Sequence, residues 1–420
     1  MKKRNLFLVF IVLLLTMSSC HSETTLPDPY TNEYLDGYDY QINMDMAKGL
    51  GLAMAEGENG YYLTNGTYLY YMDKATLEPV ILCNRPNCLH NKAEKDKIEE
   101  CNAYVKNGIQ NIFYNNNFIY LLTIIQDNPT DSIRYVLQQY SKDGALMGEA
   151  YEFKGFPQTL CIHRGYVYYA YAEYETDKPM SEGAVYSAYH VIKGSLQSRQ
   201  EQLLYTNNLE SPGIYWMVTK GKHLYFFNHG YTGDASKDIN SSNRILQYVN
   251  YNLENNTFTQ TDMNPENGEA GSPALLDNAM VFCKYNYSYT DERNRDLFQR
   301  DLNGENEKKV YTIEPTGCTV QWDGTYFYID NYVILLSQPE NTSLVRQIWV
   351  YDQNFNHVTT FDLTDVDGND LSKTTLRPFF ISDDLLFTSE NSSSRNVSSF
   401  IYIDKSEIAS GKVSPHKVTF

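Results

Sequence analysis

From Leu52 to Phe420 the apolar positions recur in one order: a short apolar run, a turn pair rich in Asn, Asp or Gly, and then an aromatic run of alternating polarity. Ile112-Phe113-Tyr114, Asn116-Asn117 and Phe118-Ile119-Tyr120 form one such unit. Cys161-Ile162-His163, Arg164-Gly165 and Tyr166-Val167-Tyr168-Tyr169 form the next. Asn59-Gly60, Lys220-Gly221, Asp277-Asn278, Asp323-Gly324 and Asp383-Asp384 occupy the same place elsewhere, which makes seven turns at a mean spacing of roughly 54 residues. Asn, Asp and Gly accept the positive φ that tight hairpin turns require, so each pair predicts a hairpin between a unit's first and second strands.

A second marker carries the same period. Strands run into polar turns at Tyr71-Met72-Asp73, Tyr140-Ser141, Tyr251-Asn252, Arg300-Asp301, Tyr351-Asp352 and Ile403-Asp404. Unit three is predicted to keep its strand, Tyr186 to Ile192, and to turn at Lys193-Gly194. No stretch sustains an apolar 3.6-residue period for three turns, so helix should be scarce. Four short strands per unit, repeated to the last residue, predict an all-β fold: a single β-propeller over residues 49–420, with about seven four-stranded blades and six or eight within the same pattern. Ring closure should bring the strand near Leu52 to Ala55 close to Lys417 to Phe420, because an open ring leaves strand edges bare.

Before this region the pattern changes. Lys2, Lys3 and Arg4 precede ten apolar residues, Leu6 to Leu15, and Met17-Ser18-Ser19-Cys20 closes the segment. Ten residues reach about 15 Å as a helix, roughly half a bilayer's hydrocarbon core, so the segment reads as a signal and not a lasting span. Residues 21–48 carry no apolar period and read as a polar tether. The net charge of -18, from 34 basic and 52 acidic residues, argues against nucleic acid, whose phosphates need clustered cations.

The first twenty residues resemble a bacterial lipoprotein signal peptide. The resemblance implies removal of residues 1–19, a lipid on Cys20, a tether over 20–48, and residence on the outer face of the cytoplasmic membrane of a Gram-positive-type cell. The repeats resemble TolB-like and DUF5050-type propeller proteins. In those, blades commonly close with a strand, Asp-x-(Asn or Asp)-Gly and a basic exit strand, as Asp301-Leu302-Asn303-Gly304 through Lys308-Lys309-Val310 does here. The chain is also similar to exported Gram-positive lipoproteins of unknown function that carry a cysteine and histidine segment after the first blade. These resemblances speak for architecture and say little of activity.

Candidate chemistry gathers in one insertion, at about residues 83–105. Asp73 to Ser141 spans 68 residues against roughly 50 between the later turns, and the excess holds Cys83, Cys88, His90 and Cys101. Four soft or borderline ligands in a loop with little to bury predict either a structural zinc site or a disulfide between two of the cysteines. Zinc is preferred, because a disulfide leaves an odd thiol and His90 lies two residues from Cys88. Cys161, Cys283 and Cys318 stand singly in strand-like stretches and read as buried thiols. Asp365 to Asp370 is acidic, but its Gly368 and Leu376 fall where an EF-hand needs other residues, so it reads as an inter-blade loop.

Nucleophile-elbow, zincin and phosphate-loop motifs are absent from the sequence. Most of the 37 tyrosines lie in alternating strands and should pack between blades. Longer polar stretches at Thr176 to Gly183, Tyr231 to Asn243, Tyr287 to Arg295 and Glu390 to Asn396 each join a second to a third strand, so all should open on one face. The expectation is a monomeric binding or scaffolding module for an extracellular glycan, peptide or protein. The alternative is a carbohydrate-active enzyme with a carboxylate or metal site in the central funnel.

Overall fold

The computed structural model describes residues 30–35, 38–39, 54–90, 100–106, 108–126, 128, 132–174, 186–232, 244–263, 268–270, 273–286, 295–313, 320–332, 346–362, 378–389 and 399–420. Among these, six sheets have four antiparallel strands each. A seventh has the same four places, with its first place divided between Gly268–Ala270 and Ala274–Leu275, both paired with Ala279–Asn286. The chain is a β-propeller, and each sheet is one blade built from strands consecutive in sequence. One short helix, Lys405–Ile408, is described, capped where the Asp404 side chain accepts from the Ser406 amide.

All seven expected turns fall between a first and a second strand. Asn116-Asn117, for example, joins Ile109–Asn115 to Phe118–Ile125, with φ of 48 and 63°. Unit three corrects the reading of its second turn. Its third strand continues through Lys193 and Gly194 to Ser195, and the chain turns over residues 196–200. Gly194 is required there by packing, not by turning: a Cβ would lie 2.4 Å from the Tyr151 hydroxyl of the neighbouring blade. Lys193 stays in the ladder, paired with Tyr168 on one side and Gln202 on the other, and its ammonium lies 4.1 Å from the Tyr166 ring centre.

Burial falls from the inner to the outer strands. Second strands such as His223–Tyr231 are covered on both faces and read as near-continuous apolar runs, whereas the fourth strand Thr257–Asp262 is largely exposed and polar. Tyr61, Tyr168, Tyr169, Tyr248, Tyr328 and Tyr351 are among the largest fully buried side chains, so the aromatic load packs between blades as expected. The ring closes through side chains: Tyr61 meets Phe387 edge-on at 5.0 Å, its hydroxyl lies 3.1 Å from that of Ser382, and Phe420 lies 4.6 Å from Tyr70. Met54 and Val418 share one core cluster, which spans the first and last blades.

Strand alternation assigns every connection to one of two faces. First-to-second and third-to-fourth turns share one, here the turn face; second-to-third connections and those between blades share the other. First-to-second turns hold two or three residues each, at 57–59, 116–117, 164–165, 221–222, 276–278, 323–325 and 382–384. On the opposite face the second and third strands of blades 3 to 7 are separated by residues 175–185, 232–243, 287–294, 333–345 and 390–398.

Candidate functional site

The Cys/His insertion begins where the fourth strand of blade 1, Pro79–Ile81, ends. The Leu82 amide donates to the Leu69 carbonyl at 3.0 Å and carries Cys83 to the edge of the blade. A turn follows, with the Cys88 amide 3.3 Å from the Arg85 carbonyl, and Asn87 and His90 take φ of 62 and 49°. The second arm returns along the short connection 65–68 between the second and third strands. Leu69 donates to Ala103 at 2.9 Å, Val105 to Thr67 at 2.9 Å and Ile109 to Gly66 at 2.7 Å, and Tyr68 bridges Tyr104. The Asn65 carboxamide fixes that connection by accepting from the Thr67 and Tyr68 amides. The Asn102 side chain joins the arms by donating to the Asn84 side chain at 2.5 Å.

These constraints bring all four predicted residues together. The sulfurs of Cys83, Cys88 and Cys101 and a ring nitrogen of His90 lie within 4.8 Å of one another, with His90 Nδ1 3.5 Å from Cys101 Sγ. A tetrahedral zinc with bonds of about 2.3 Å separates its thiolate sulfurs by about 3.8 Å, so small side-chain movements complete the geometry. Cys101 is buried and the other three are half-buried. The three cysteines are free thiols in the structure.

Their electrostatics suit a cation. Burial opposes ionisation of Cys83, but amide donors from Arg85 and Asn102 and the neighbouring thiols Cys88 and Cys101 outweigh it and bring the thiol below its ordinary range. Cys101 moves the other way, pushed up to about 12, first by burial and then by charge already placed on its neighbours. Cys83 therefore ionises ahead of Cys101, and a cation at the cluster would favour the thiolate form of both.

The other expected sites divide. Cys161 is fully buried and burial pushes its thiol up to about 12, the behaviour of a packing thiol. Cys20, Cys318 and Asp365 to Asp370 lie outside the described residues, as do most residues of the four long connections and the Cys283 side chain. The strand ends flanking those connections lie on one face, together with both ends of the Cys/His insertion.

A second polar cluster has no counterpart in the sequence reading. Residues expected in the tether, Tyr30 to Leu35 with Tyr38 and Asp39, pack on the turn face of blades 2 to 4. Arg164, fully buried, donates from Nε and one terminal nitrogen to the two Asp39 carboxylate oxygens, both at 2.6 Å. It also donates to the carbonyls of Thr31 at 2.6 Å and Glu33 at 2.7 Å. The Tyr38 carbonyl accepts from the Asn115 side chain at 2.9 Å and from the Arg164 amide at 3.3 Å. His163 lies beneath, with Nδ1 3.2 Å from Asp39 and Nε2 2.8 Å from the Gly221 carbonyl. One signal could have exposed this cluster. Arg164 takes φ of 49° ahead of Gly165 at 79°, the place in a tight turn that Asn, Asp or Gly ordinarily fills.

No protein-family model and no curated protein matches the chain. Its fold is similar to that of solved structures. An oligogalacturonate lyase from Vibrio parahaemolyticus matches over 93% of this chain and 92% of its own, at 11% identity and a TM-score of 0.45. A putative 6-phosphogluconolactonase from Bacteroides fragilis matches over 88% and 94%, at 11% identity and 0.46. Porphyromonas gingivalis dipeptidyl peptidase 4 matches over 89% of this chain and 54% of its own, at 11% identity and 0.46.

Proposed function

We propose that the chain is a lipid-anchored propeller on the outer face of a bacterial cytoplasmic membrane, a monomeric module that binds an extracellular glycan, peptide or protein. The asymmetry of its connections carries this reading. Apart from residues 405–415 in the last blade, the turn face carries connections of only two to six residues, whereas the other carries separations up to residues 333–345 together with the Cys/His insertion. Connections longer than a blade needs have no role in closing the ring, and functional residues sit preferentially on such loops above a rigid scaffold.

Cys83, Cys88, His90 and Cys101 would hold a structural zinc. Three thiolates and an imidazole fill a tetrahedron and leave no position for water, so the ion would order the insertion and not activate a substrate. Elemental analysis of chelator-free protein should return one zinc per chain. No metal together with a single free thiol among the three cysteines would establish a disulfide instead.

The functional test is incubation of purified protein with an immobilised glycan and peptide panel, monitoring retention and product formation together. Retention without turnover supports the binding module. Shortened oligosaccharide products would overturn it in favour of a carbohydrate-active enzyme. Membrane anchoring is tested by Cys20→Ala, which should release the protein from the membrane fraction; unchanged retention would refute the lipid anchor.

A further inference from the structure

Residues 30–35, 38 and 39 were expected to belong to a polar tether, yet they are held by groups from three consecutive blades. Blade 2 contributes Asn115, blade 3 contributes His163, Arg164 and Lys193, and blade 4 contributes Gly221 and Lys222. The Asn32 carboxamide oxygen accepts from the Lys222 amide at 3.5 Å, and the Tyr30 ring lies 5.5 Å from the Lys193 ammonium. A Cβ on Gly221, whose φ is 55°, would come within 2.9 Å of the Asn32 side chain, so that turn is open enough for the segment only as glycine. Arg164 directs its guanidinium into this segment, donating to two carboxylate oxygens and two carbonyls. A buried guanidinium without those acceptors would be strongly destabilising, so the ring is built to receive this stretch of chain.

The segment joins the ring on the turn face, because Asn115, Arg164 and Gly221 all lie at first-to-second turns. We propose that this contact is an orientation clamp: it holds the turn face of the propeller toward the membrane and presents the opposite face, with the long connections and the Cys/His insertion, outward. The proposal rests on the lipid anchor at Cys20. Length decides how strong the constraint is. From Cys20 to Tyr30 is ten residues, about 35 Å fully extended, whereas an undocked leash from Cys20 to Met54 would be 34 residues, about 120 Å. The fourth strand of blade 3, Glu201–Asn207, crosses the ring from face to face in about 23 Å. A leash several times longer than the ring is thick lets either face meet the bilayer; one of about 35 Å fixed to the turn face favours that face.

Two readouts test the clamp and the orientation separately. In the Cys20→Ala chain in solution, chymotrypsin should cut slowly after Tyr34 and Tyr38, and at least tenfold faster in the same chain carrying Asp39→Asn. Cutting within the ring should rise far less than cutting at Tyr34 and Tyr38. Rapid cutting at Tyr34 and Tyr38 without Asp39→Asn would overturn the clamp. In the lipidated full chain on phosphatidylglycerol vesicles, fluorophores are placed as noncanonical residues at Gln197 on the turn face and Asn208 on the opposite face, both exposed. Transfer to a bilayer acceptor should be several-fold stronger from Gln197, and Asp39→Asn should bring the two positions together. Equal transfer with the clamp intact would overturn the orientation. Should Cys20→Ala stay on membranes as firmly as before, the anchor and the orientation fall together, while the chymotrypsin result still stands or fails by itself.

Discussion

Two segments outside the blade repeat are tied to this ring, on opposite faces and by different chemistry. The Cys/His insertion is held at its ends by backbone pairing along residues 65–69 and brings its own ligands together at its centre. The described residues of the N-terminal segment form no strand and are held largely by side chains of the ring, above all Arg164. The insertion buries Cys101, Ala103 and Val105 in the core cluster of blades 1 and 2 but leaves Leu89 exposed, and an ion or cross-link there would help offset an ordering entropy of roughly 1 to 2 kcal/mol per residue. The N-terminal segment instead satisfies charges that the ring already buries. Losing the N-terminal contacts deprives the buried Arg164 of four acceptors.

The largest expected effect separates the insertion from the ring. Cys101→Ser should lower zinc from one per chain to near none and open the insertion to protease. Structural zinc in small peptides contributes about 10–16 kcal/mol to folding, while the β-rich circular dichroism of the blades should persist. Loss of the β signal would show that the insertion supports the ring after all. Next, Arg164→Met strands Asp39, whose side chain is only 8% exposed, and breaking such a pair costs about 3–5 kcal/mol. Combined with Asp39→Asn, the loss by denaturant titration should be clearly smaller than the sum of the single losses. Strict additivity would mean that the two groups are not coupled.

Acid should affect the N-terminal side as well. Burial holds His163 down to about 4, with Arg164 acting in the same direction and Asp39 opposing. Its folded value lies below the unfolded value of 6.5, so the unfolded chain takes up the proton first. Stability from this group is complete above pH 6.5 and is lost as pH falls from there toward 4. A His163→Gln chain should show a flatter stability profile in that window; an unchanged slope would assign the acid response to other groups. The smallest effect concerns the ring itself. Tyr61→Phe removes the hydroxyl contact with Ser382 but keeps the edge-on contact with Phe387, and should cost about 0.5–1.5 kcal/mol in a melt. A much larger loss would mean that closure depends on that hydrogen bond more than on packing.

The blade count and the hairpin turns were legible because their causes are local. Positive φ at Asn116 and Asn117 and the two-sided burial of second strands each leave a mark within a few residues. Unit three misled because Gly194 resembles a turn residue, whereas its small size answers to Tyr151 in the neighbouring blade. The Cys/His cluster was legible too, since cysteine and histidine are uncommon enough for four within nineteen positions to stand out. Arg164 and Asp39 were not, because such residues are ordinarily solvated and these two lie 125 positions apart.

By itself, then, the sequence determined the repeat, the strand order within each blade and the identity of the thiols and imidazole that cluster, all of which follow from short-range periodicity and composition. The tertiary structure decided three things that only packing could. It closed the ring by side chains of the first and last blades, which share no strand among the described residues. It set the insertion on the same face as the long connections, through hydrogen bonds to residues 66–69. It also drew the N-terminal segment onto the turn face, where Arg164 found its acceptors. Each depends on groups far apart in the chain becoming neighbours, and burial then turns an ordinary charge into one that must be paired.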